Sequence, residues 1–178
     1  VWTAGEKSAG VIGSLAMVRK NIFANDQWEG QGVNPLRVTY PAGGTFVHDP
    51  SQIVQADVAR PEAIDTIFAA VDTLGPLDAL INNAGIVGLA TRVADLTHGR
   101  LRQMFDVNVI GAMLVAAAAV KRMEPRGQGV IINITSAAAR LGSANQYVDY
   151  AATKAAMDIF TKGLSDEVAP SGLRVMGV

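Results

Sequence analysis

The sequence predicts an α/β fold in which helices pack on a largely parallel sheet, and three observations support this prediction. From residue 53 onward, short apolar runs with the character of strands alternate with amphipathic helical stretches. Residues 130–134 are mostly β-branched and show no alternation of polar and apolar positions, which is typical of a parallel strand covered on both faces. Of the 178 residues, 49% are hydrophobic and only 17% are charged, so a single domain with a large core is expected.

The first regular unit after residue 53 is a strand followed by a helix. An apolar strand is predicted over residues 53–58, and Pro61 suits the first turn of the helix that follows. Apolar residues at i, i+3, i+4 and i+7 form the buried stripe of this helix, namely Ile64, Ile67, Phe68 and Val71. Gly75 and Pro76 end the helix, and residues 77–81 form the next strand.

The rest of the chain continues the alternation. The later predicted elements are a helix over 96–122 with a break near Gly99 or Gly111, a strand over 130–134, a helix over 150–168 and a strand over 173–178. Before residue 53, a helix over 15–23 and a second strand over 36–40 are expected. Because parallel strands with right-handed crossovers gather their carboxyl ends at one edge, we expect a ligand site at that edge.

Composition excludes several classes of function. Fifteen basic and sixteen acidic residues leave a net charge of −1 without a basic stripe, so no nucleic-acid partner is expected. The chain has no cysteine and only two isolated histidines, His48 and His98, so no metal site is predicted. The apolar run 109–120 is shorter than the roughly 20 residues that span a bilayer, so no membrane partner is expected. Since no leader is visible at Val1, we expect a cytoplasmic location.

Tyr150 and Lys154 are the first candidates for chemistry. They lie four residues apart on a predicted helix, which places both side chains on one face. An ammonium near a phenol favours the phenolate, so Lys154 is expected to lower the pKa of Tyr150 and make it a usable proton donor and acceptor. A surface pair is the alternative for any such spacing. Ser136, just past the carboxyl end of the 130–134 strand, favours the functional interpretation because its hydroxyl could bind a substrate oxygen, although a loop hydroxyl or a helix cap is its alternative.

Four motifs in order give the chain its family resemblance. They are Asn82-Asn83-Ala84-Gly85, Val107-Asn108-Val109, Ile134-Thr135-Ser136 and Tyr150-Ala151-Ala152-Thr153-Lys154. Over residues 53–178 the sequence resembles the short-chain dehydrogenase/reductase family, and within it the 3-oxoacyl-carrier-protein reductases and the sugar or alcohol dehydrogenases. The resemblance implies a Rossmann-like, doubly wound parallel sheet in three α/β/α layers that lacks the last strand. Residues 1–178 would then be a single dinucleotide-binding domain, incomplete at its C-terminal end.

The resemblance implies a role for each candidate catalytic residue. Tyr150 would be the general acid/base at the carbonyl or hydroxyl oxygen, and Ser136 would hold that oxygen. Lys154 would tune Tyr150 and bind the nicotinamide ribose. Asn108 would order water for a proton relay beside Lys154, with a buried amide satisfied by backbone as the alternative. The substrate would be a small carbonyl or alcohol, and the protein a homo-oligomer, dimer or tetramer, assembled through the Asn108 and Tyr150 helices.

The resemblance also implies a set of cofactor-binding residues. Asp57 and Val58 would contact the adenine, with a helix-capping role for Asp57 as the alternative. Asn83, Ala84 and Gly85 would line the cofactor ribose, with Gly85 needed where the backbone approaches the ligand closely, and a plain turn is the alternative. Tyr150 and Lys154 would complete this set.

The glycine-rich N-terminal segment departs from the family pattern. The residues that would cradle the pyrophosphate are Gly5, Gly10, Ile12 and Gly13. Their glycines are spaced five and three apart, where the family has four and two, and Glu6 adds a negative charge. The segment could be an unusual loop that still binds, an altered stretch, or the trace of a lost site, and we favour the surviving loop.

The cofactor is expected to be NADP, with NAD as the alternative. No acidic residue closes the predicted 36–40 strand, where a carboxylate would bind the ribose hydroxyl of NAD. Lys7 and Arg37 offer positive charge for a 2′-phosphate.

The predicted function is hydride transfer between NAD(P)(H) and a carbonyl or secondary alcohol. A non-catalytic dinucleotide-binding or scaffold protein is the alternative from another class, because the glycine segment is distorted. Epimerase or dehydratase chemistry on the same fold ranks third.

Overall fold

A computed structural model describes residues 15–18, 38–39, 45–46, 54 and 56–178 of the chain. Its central sheet has four strands in the order β1-β4-β5-β6. These strands are β1 (Leu15–Val18), β4 (Ala79–Asn82), β5 (Gly129–Asn133) and β6 (Leu173–Gly177). A separate two-stranded sheet pairs β2 (Val38–Thr39) with β3 (Thr45–Phe46).

Strands β4, β5 and β6 run parallel, as the sequence predicts. Asn82 pairs in register with Asn133, and Asn133 with Gly177, so the carboxyl ends of the three strands meet at one edge. The segments that follow β4 and β5 therefore leave the sheet side by side at the edge where ligands are bound in α/β sheets.

The helices follow the predicted alternation. They are α1 (Pro61–Leu74), α2 (His98–Phe105), α3 (Ala112–Met123), α4 (Ala138–Leu141) and α5 (Val148–Val168). The predicted break in the second long helix falls at Asp106–Gly111, a stretch of π-helix between α2 and α3. A π-helical turn carries an extra residue, which rotates the side chains on either side of it relative to each other.

Two predictions for the first part of the chain were wrong in the residues that the structure describes. Leu15–Val18, expected to begin a helix, is a strand that pairs antiparallel with β4, because the open edge of β4 supplies backbone partners that local propensity does not show. Val38–Thr39 is a strand as expected, but it pairs with Thr45–Phe46 and not with the main sheet.

The described residues of the predicted 53–58 strand form no strand. The Asp57 carbonyl accepts from the Arg60 N–H at 2.9 Å, and its carboxylate accepts from the Ala59 N–H at 3.0 Å. This local turn competes with strand pairing and leads the chain into α1.

The core of the described region lies between one face of the sheet and its helices. Leu80 of β4 and Ile131 of β5 are register partners that are fully buried, and Val115 of α3 packs with them. On the opposite face Ile132 is half-buried and Met176 is exposed. Among described residues, the expectation that 130–134 is covered on both faces therefore holds for one face only.

Buried polar side chains join the strand ends to the helices. The Asn82 amide donates to the Ala112 carbonyl at 2.8 Å and to the Asn133 Oδ1 at 3.1 Å. The Asn133 amide donates in turn to the Thr161 Oγ1 at 2.9 Å. Since each unpaired polar group in a core costs about 1–3 kcal/mol, this chain of contacts fixes how α3 and α5 sit on the sheet.

Within the described residues, one helical stretch, His98–Arg126, is long and apolar enough to span a bilayer by length and composition. Its buried side chains include Val115, Ala119 and Met123, which pack in the core against the sheet and α1. Such packing is typical of the central helix of an α/β domain.

We expect Gly111→Ala to destabilise the fold and Gly99→Ala to leave it intact. A Cβ on Gly111 would lie 2.5 Å from the Val58 carbonyl oxygen, a backbone atom that cannot easily move. A Cβ on Gly99 would meet nothing within 4 Å. In urea denaturation, Gly111→Ala should lower the free energy of unfolding by about 1–3 kcal/mol. Gly99→Ala should raise it by up to about 1 kcal/mol. Equal effects would contradict the close approach of Val58 to the helix.

Candidate active site

The loop after β4 brings a glycine against two of the predicted catalytic residues. A Cβ added to Gly85 would lie 3.4 Å from the Asn108 Oδ1 and 3.7 Å from the Lys154 Nζ. The open side of Gly85 therefore faces both side chains. Any side chain at this position would occupy the space beside the ammonium, so glycine keeps that space open.

Asn108 holds the same loop from the π-helical stretch. Its Oδ1 accepts from the Ile86 N–H at 2.7 Å, and its Nδ2 donates to the Ile86 carbonyl at 2.8 Å. The Nδ2 also donates to the Thr153 Oγ1 on α5 at 3.1 Å and lies 3.3 Å from the Met104 sulfur. The predicted alternative, a buried amide satisfied by backbone, is therefore observed. One lone pair of the Asn108 Oδ1 is left for a water. The proton relay itself stays a prediction.

The Lys154 side chain on α5 reaches the segments that follow β4 and β5, and the Tyr150 ring lies beside it. The Lys154 ammonium is buried, donates to the Ile134 carbonyl at 2.7 Å and lies 5.7 Å from the centre of the Tyr150 ring. Tyr147 meets the Tyr150 ring edge-on, with ring centres 6.3 Å apart, so the half-buried phenol is flanked by a second aromatic ring.

Burial lowers the pKa of Lys154 below the usual lysine value, and the nearby Asp158 carboxylate partly opposes this effect. The protonated amine has lost hydration that a single carbonyl only partly replaces. A buried cation beside a phenol in this way is typical of a functional site rather than of a surface pair.

Ser136 lies in the segment that follows β5, close to where Lys154 contacts Ile134. Its Oγ accepts from the Ala138 N–H at 3.1 Å, at the start of α4. Of the two alternatives predicted for Ser136, a loop hydroxyl and a helix cap, the first is observed, since the N-cap of α4 is Ala137. Because this contact uses an oxygen lone pair, the hydroxyl proton remains available to donate to a substrate oxygen.

Arg100 and Asp149 form an ion pair at the same site that the sequence did not predict. The Arg100 Nε donates to the Asp149 Oδ2 at 2.6 Å, and its Nη2 donates to Oδ1 at 3.3 Å. Burial raises the pKa of Asp149, but the guanidinium and the backbone N–H of Tyr150 lower it more, so the net pKa lies below the usual value. The two residues are 49 positions apart in the sequence. The one sequence feature that could have pointed to the pair is the aspartate directly before Tyr150.

The predicted adenine pair lies in the turn before α1. Asp57 is exposed and engages the Ala59 N–H, and its carboxylate comes within 3.9 Å of the Arg60 guanidinium. Val58 is buried beneath Gly111. Gly5, Gly10, Ile12 and Gly13 lie outside the described residues.

The described part of the site fits the nicotinamide half of a dinucleotide. Gly85 leaves a space that a Cβ would fill, and that space lies beside the ammonium of Lys154, a donor suited to ribose hydroxyls. In the part of the chain that the structure describes, no group of three or more acidic or histidine side chains could hold a metal ion.

Comparison with known sequences identifies relatives of this chain. A sequence model of the family described as short chain dehydrogenase matches residues 45–178. The uncharacterized oxidoreductase YgfF of Escherichia coli K12 is 42% identical over 142 residues, which cover 78% of this chain and 55% of that protein. A 3-alpha-(or 20-beta)-hydroxysteroid dehydrogenase of Mycobacterium bovis is 37% identical over 134 residues, covering 73% of this chain and 50% of the relative.

Solved structures share the fold. An NAD+-bound xylitol dehydrogenase superimposes with a TM-score of 0.65 and 32% identity over 68% of this chain and 47% of that one. A short-chain type dehydrogenase/reductase from Mycobacterium marinum gives the same TM-score with 30% identity, covering 70% and 51%. These matches confirm the predicted Rossmann-like fold. The chain spans about half the length of the curated relatives that it matches.

We expect Asp158→Asn to lower the pKa of Lys154 further, because the substitution removes the charge that favours the ammonium. The measurement is the titration of the Lys154 side chain by NMR. Asp166→Asn is the matched control, since Asp166 lies on the same helix but pairs with Lys162 at 2.9 Å. An unchanged Lys154 titration in Asp158→Asn would contradict the electrostatic assignment.

The same shift has a consequence for stability. The folded chain binds the Lys154 proton less tightly than the unfolded chain does, so this group disfavours folding when protonated. Its contribution should improve as the pH rises from the lowered pKa toward the usual lysine value of 10.5. Compared with Lys154→Met, the wild-type chain should therefore gain stability over that range of pH.

Proposed function

The chain belongs to the short-chain dehydrogenase family, and we propose that it is an oxidoreductase that interconverts a carbonyl and a secondary alcohol with a nicotinamide dinucleotide. One observation carries the proposal. The buried Lys154 ammonium lies 5.7 Å from the centre of the Tyr150 ring, and a Cβ on Gly85 would lie 3.7 Å from it. A cation near both groups can serve the phenol and a ribose in the space that Gly85 leaves open.

The cofactor would lie along the loop after β4. Asn83, Ala84 and Gly85 would line its ribose, and Lys154 would donate to the ribose hydroxyls. When bound, the nicotinamide supplies or accepts the hydride. The Lys154 Nζ has three donors, of which one is engaged by Ile134, so two remain for these contacts.

The proton would be moved by the side chains after β5 and on α5. Tyr150 donates its phenolic proton to the carbonyl oxygen during reduction, and it accepts the hydroxyl proton during oxidation. Ser136 donates a hydrogen bond to the same oxygen with the proton that its contact to Ala138 leaves free. Lys154 stabilises the negative charge that develops on the phenol oxygen when the proton leaves.

We propose NADP as the cofactor, with NAD as the alternative. The absence of an acidic residue at the end of 36–40 favours NADP. Val38–Thr39 lies in a separate two-stranded sheet and not in the main sheet, so the end of this strand is a poorer guide to the cofactor. The similar xylitol dehydrogenase structure has NAD+ bound, which supports NAD as the alternative. For the substrate, we propose a small-molecule carbonyl or alcohol.

A homo-oligomer is proposed from the outer surface of the helices. Large apolar side chains face solvent at Ile110 in the π-helical stretch, at Leu114 in α3 and at Ile159 in α5. Such residues on neighbouring helices favour association with a second copy of the chain.

A non-catalytic relic of the fold remains the second candidate. The family match begins at residue 45, so the segment with Gly5, Gly10 and Gly13 lies outside it. A chain without a working pyrophosphate loop would bind the dinucleotide weakly or not at all.

Tyr150→Phe should lower kcat by about 100-fold or more, because it removes the proton donor while keeping the ring. Tyr147→Phe is the matched control, since the ring packed against Tyr150 is retained and only a neighbouring hydroxyl is lost. Steady-state rates with NADPH and a panel of ketones, sugars and acyl thioesters would measure both. Equal loss in the two variants would remove Tyr150 from its assigned role.

Binding of NADPH and NADH should be saturable in the wild-type chain and in Tyr150→Phe. The readout is energy transfer from the two tryptophans, Trp2 and Trp28, to the reduced nicotinamide. Tighter binding of NADPH would support the NADP proposal. A folded chain that binds neither cofactor would favour the relic.

A further inference from the structure

Arg100 connects three parts of the active site through one guanidinium. It is carried by α2, where its backbone N–H donates to the Thr97 Oγ1 that caps the helix. Its side chain reaches Asp149 on α5 through two hydrogen bonds. On the other side its Cζ would lie only 2.7 Å from a Cβ built on Gly88, so the guanidinium lies directly on the loop after β4.

Asp149 makes this connection obligatory. Its side chain is 0% exposed, and it directly precedes Tyr150 in the first turn of α5. A carboxylate that is buried needs its charged partner, because removing that partner leaves an uncompensated charge. The first turn of α5 is therefore tied to the position of the guanidinium, and through it to Gly88.

The same three-way contact is repeated by Asn108. Asn108 joins Ile86 in the loop to Thr153 on α5, as Arg100 joins Gly88 to Asp149. Asp149 and Thr153 are four residues apart and so share one face of α5. Each lies immediately before a residue assigned to the chemistry, Tyr150 or Lys154.

We propose that Arg100 and Asp149 are a positioning pair that fixes Tyr150 relative to the loop that lines the cofactor. The proposal rests on the proposed function, because it assigns the pair a purpose in that reaction. Neither side chain needs to contact the substrate in this role. Their effect is exerted through the first turn of α5 and the backbone of Gly88.

The chain offers a matched control for this pair. Arg122 and Asp72 form an ion pair with both distances at 2.7 Å that joins α3 to α1. Arg122 also covers the Phe68 ring, with its Cζ 4.6 Å from the ring centre. This pair links two helices as Arg100 and Asp149 do, but it contacts none of the residues assigned to the site.

The first test needs no cofactor and no turnover. Arg100→Lys keeps the positive charge for Asp149 but removes the planar group on Gly88 and the two-point contact. In amide hydrogen–deuterium exchange, Arg100→Lys should speed exchange in residues 84–88 and 148–151 of the folded chain. Arg122→Lys should leave both segments unchanged. Equal exchange in the two variants would overturn the proposal.

The second test separates positioning from folding. With saturating NADPH, Arg100→Lys should lower kcat by about 10- to 100-fold, because small misplacements of a reacting group are costly. The KM for the carbonyl substrate should change little, and thermal unfolding should show that the variant is folded. Arg122→Lys should keep its kcat even where its Tm falls. A loss in KM alone would overturn the positioning role.

Gly88→Ala tests the same contact without altering a charge. Its methyl group would displace the guanidinium, so kcat should fall by about 10-fold in the wild-type background. In the Arg100→Lys background the flexible amine can move away, so Gly88→Ala should add less than about 2-fold. Equal losses in both backgrounds would overturn the proposal. A wild-type chain without turnover would refute the proposed function alone, and the exchange experiment would then decide on the pair.

Discussion

The geometry of the site depends on the two hydrogen bonds between the Asn108 side chain and the Ile86 backbone. The amide accepts from the Ile86 N–H and donates to its carbonyl, as a neighbouring strand would, and it also reaches Thr153 on α5. The loop that follows β4 is thereby held against the helix that carries Tyr150. These hydrogen bonds require the Asn108 side chain to face inward, and Asn108 is buried within the π-helical stretch Asp106–Gly111. Gly111 ends that stretch and lets the Val58 backbone approach, so packing and site geometry share one irregularity of the helix.

The site contains two buried charges, of which Asp149 has an oppositely charged partner and Lys154 is bound by a neutral carbonyl. Asp149 has a guanidinium at two hydrogen bonds, so its charge is matched in the fold. Lys154 is held by the Ile134 carbonyl, and its burial disfavours the protonated form. A matched charge serves to fix a position, whereas an ammonium with donors to spare is able to serve a ligand. The same physical principle therefore separates the positioning pair from the residue that we assign to the cofactor and to Tyr150.

Local pattern was sufficient to predict the second half of the fold. The helix at 61–74 and the strand at 130–134 reflect neighbours in sequence, and each is observed within two residues. Of the two positions predicted for the helix break, Gly99 and Gly111, the structure has the break at Gly111. The expected helix over 15–23 failed because the strand at Leu15–Val18 is stabilised by the distant edge of β4. Arg100 and Asp149 were missed for the same reason, since a charged residue on an amphipathic helix is normally read as solvent-exposed and its partner lies 49 positions away.

The plain and the functional interpretations of a polar residue are not alternatives at this site. Asn108 was considered as a relay residue or as a buried amide satisfied by backbone, and Ser136 as a substrate donor or as a loop hydroxyl or helix cap. The structure contains the plain contact in both cases, with Ile86 and with Ala138. These contacts use up some hydrogen-bonding capacity and orient what is left: one Oδ1 lone pair in Asn108 and the hydroxyl proton in Ser136. A side chain that were free to rotate would present its donor in many directions, so the structural contact is the condition under which the chemical role becomes possible.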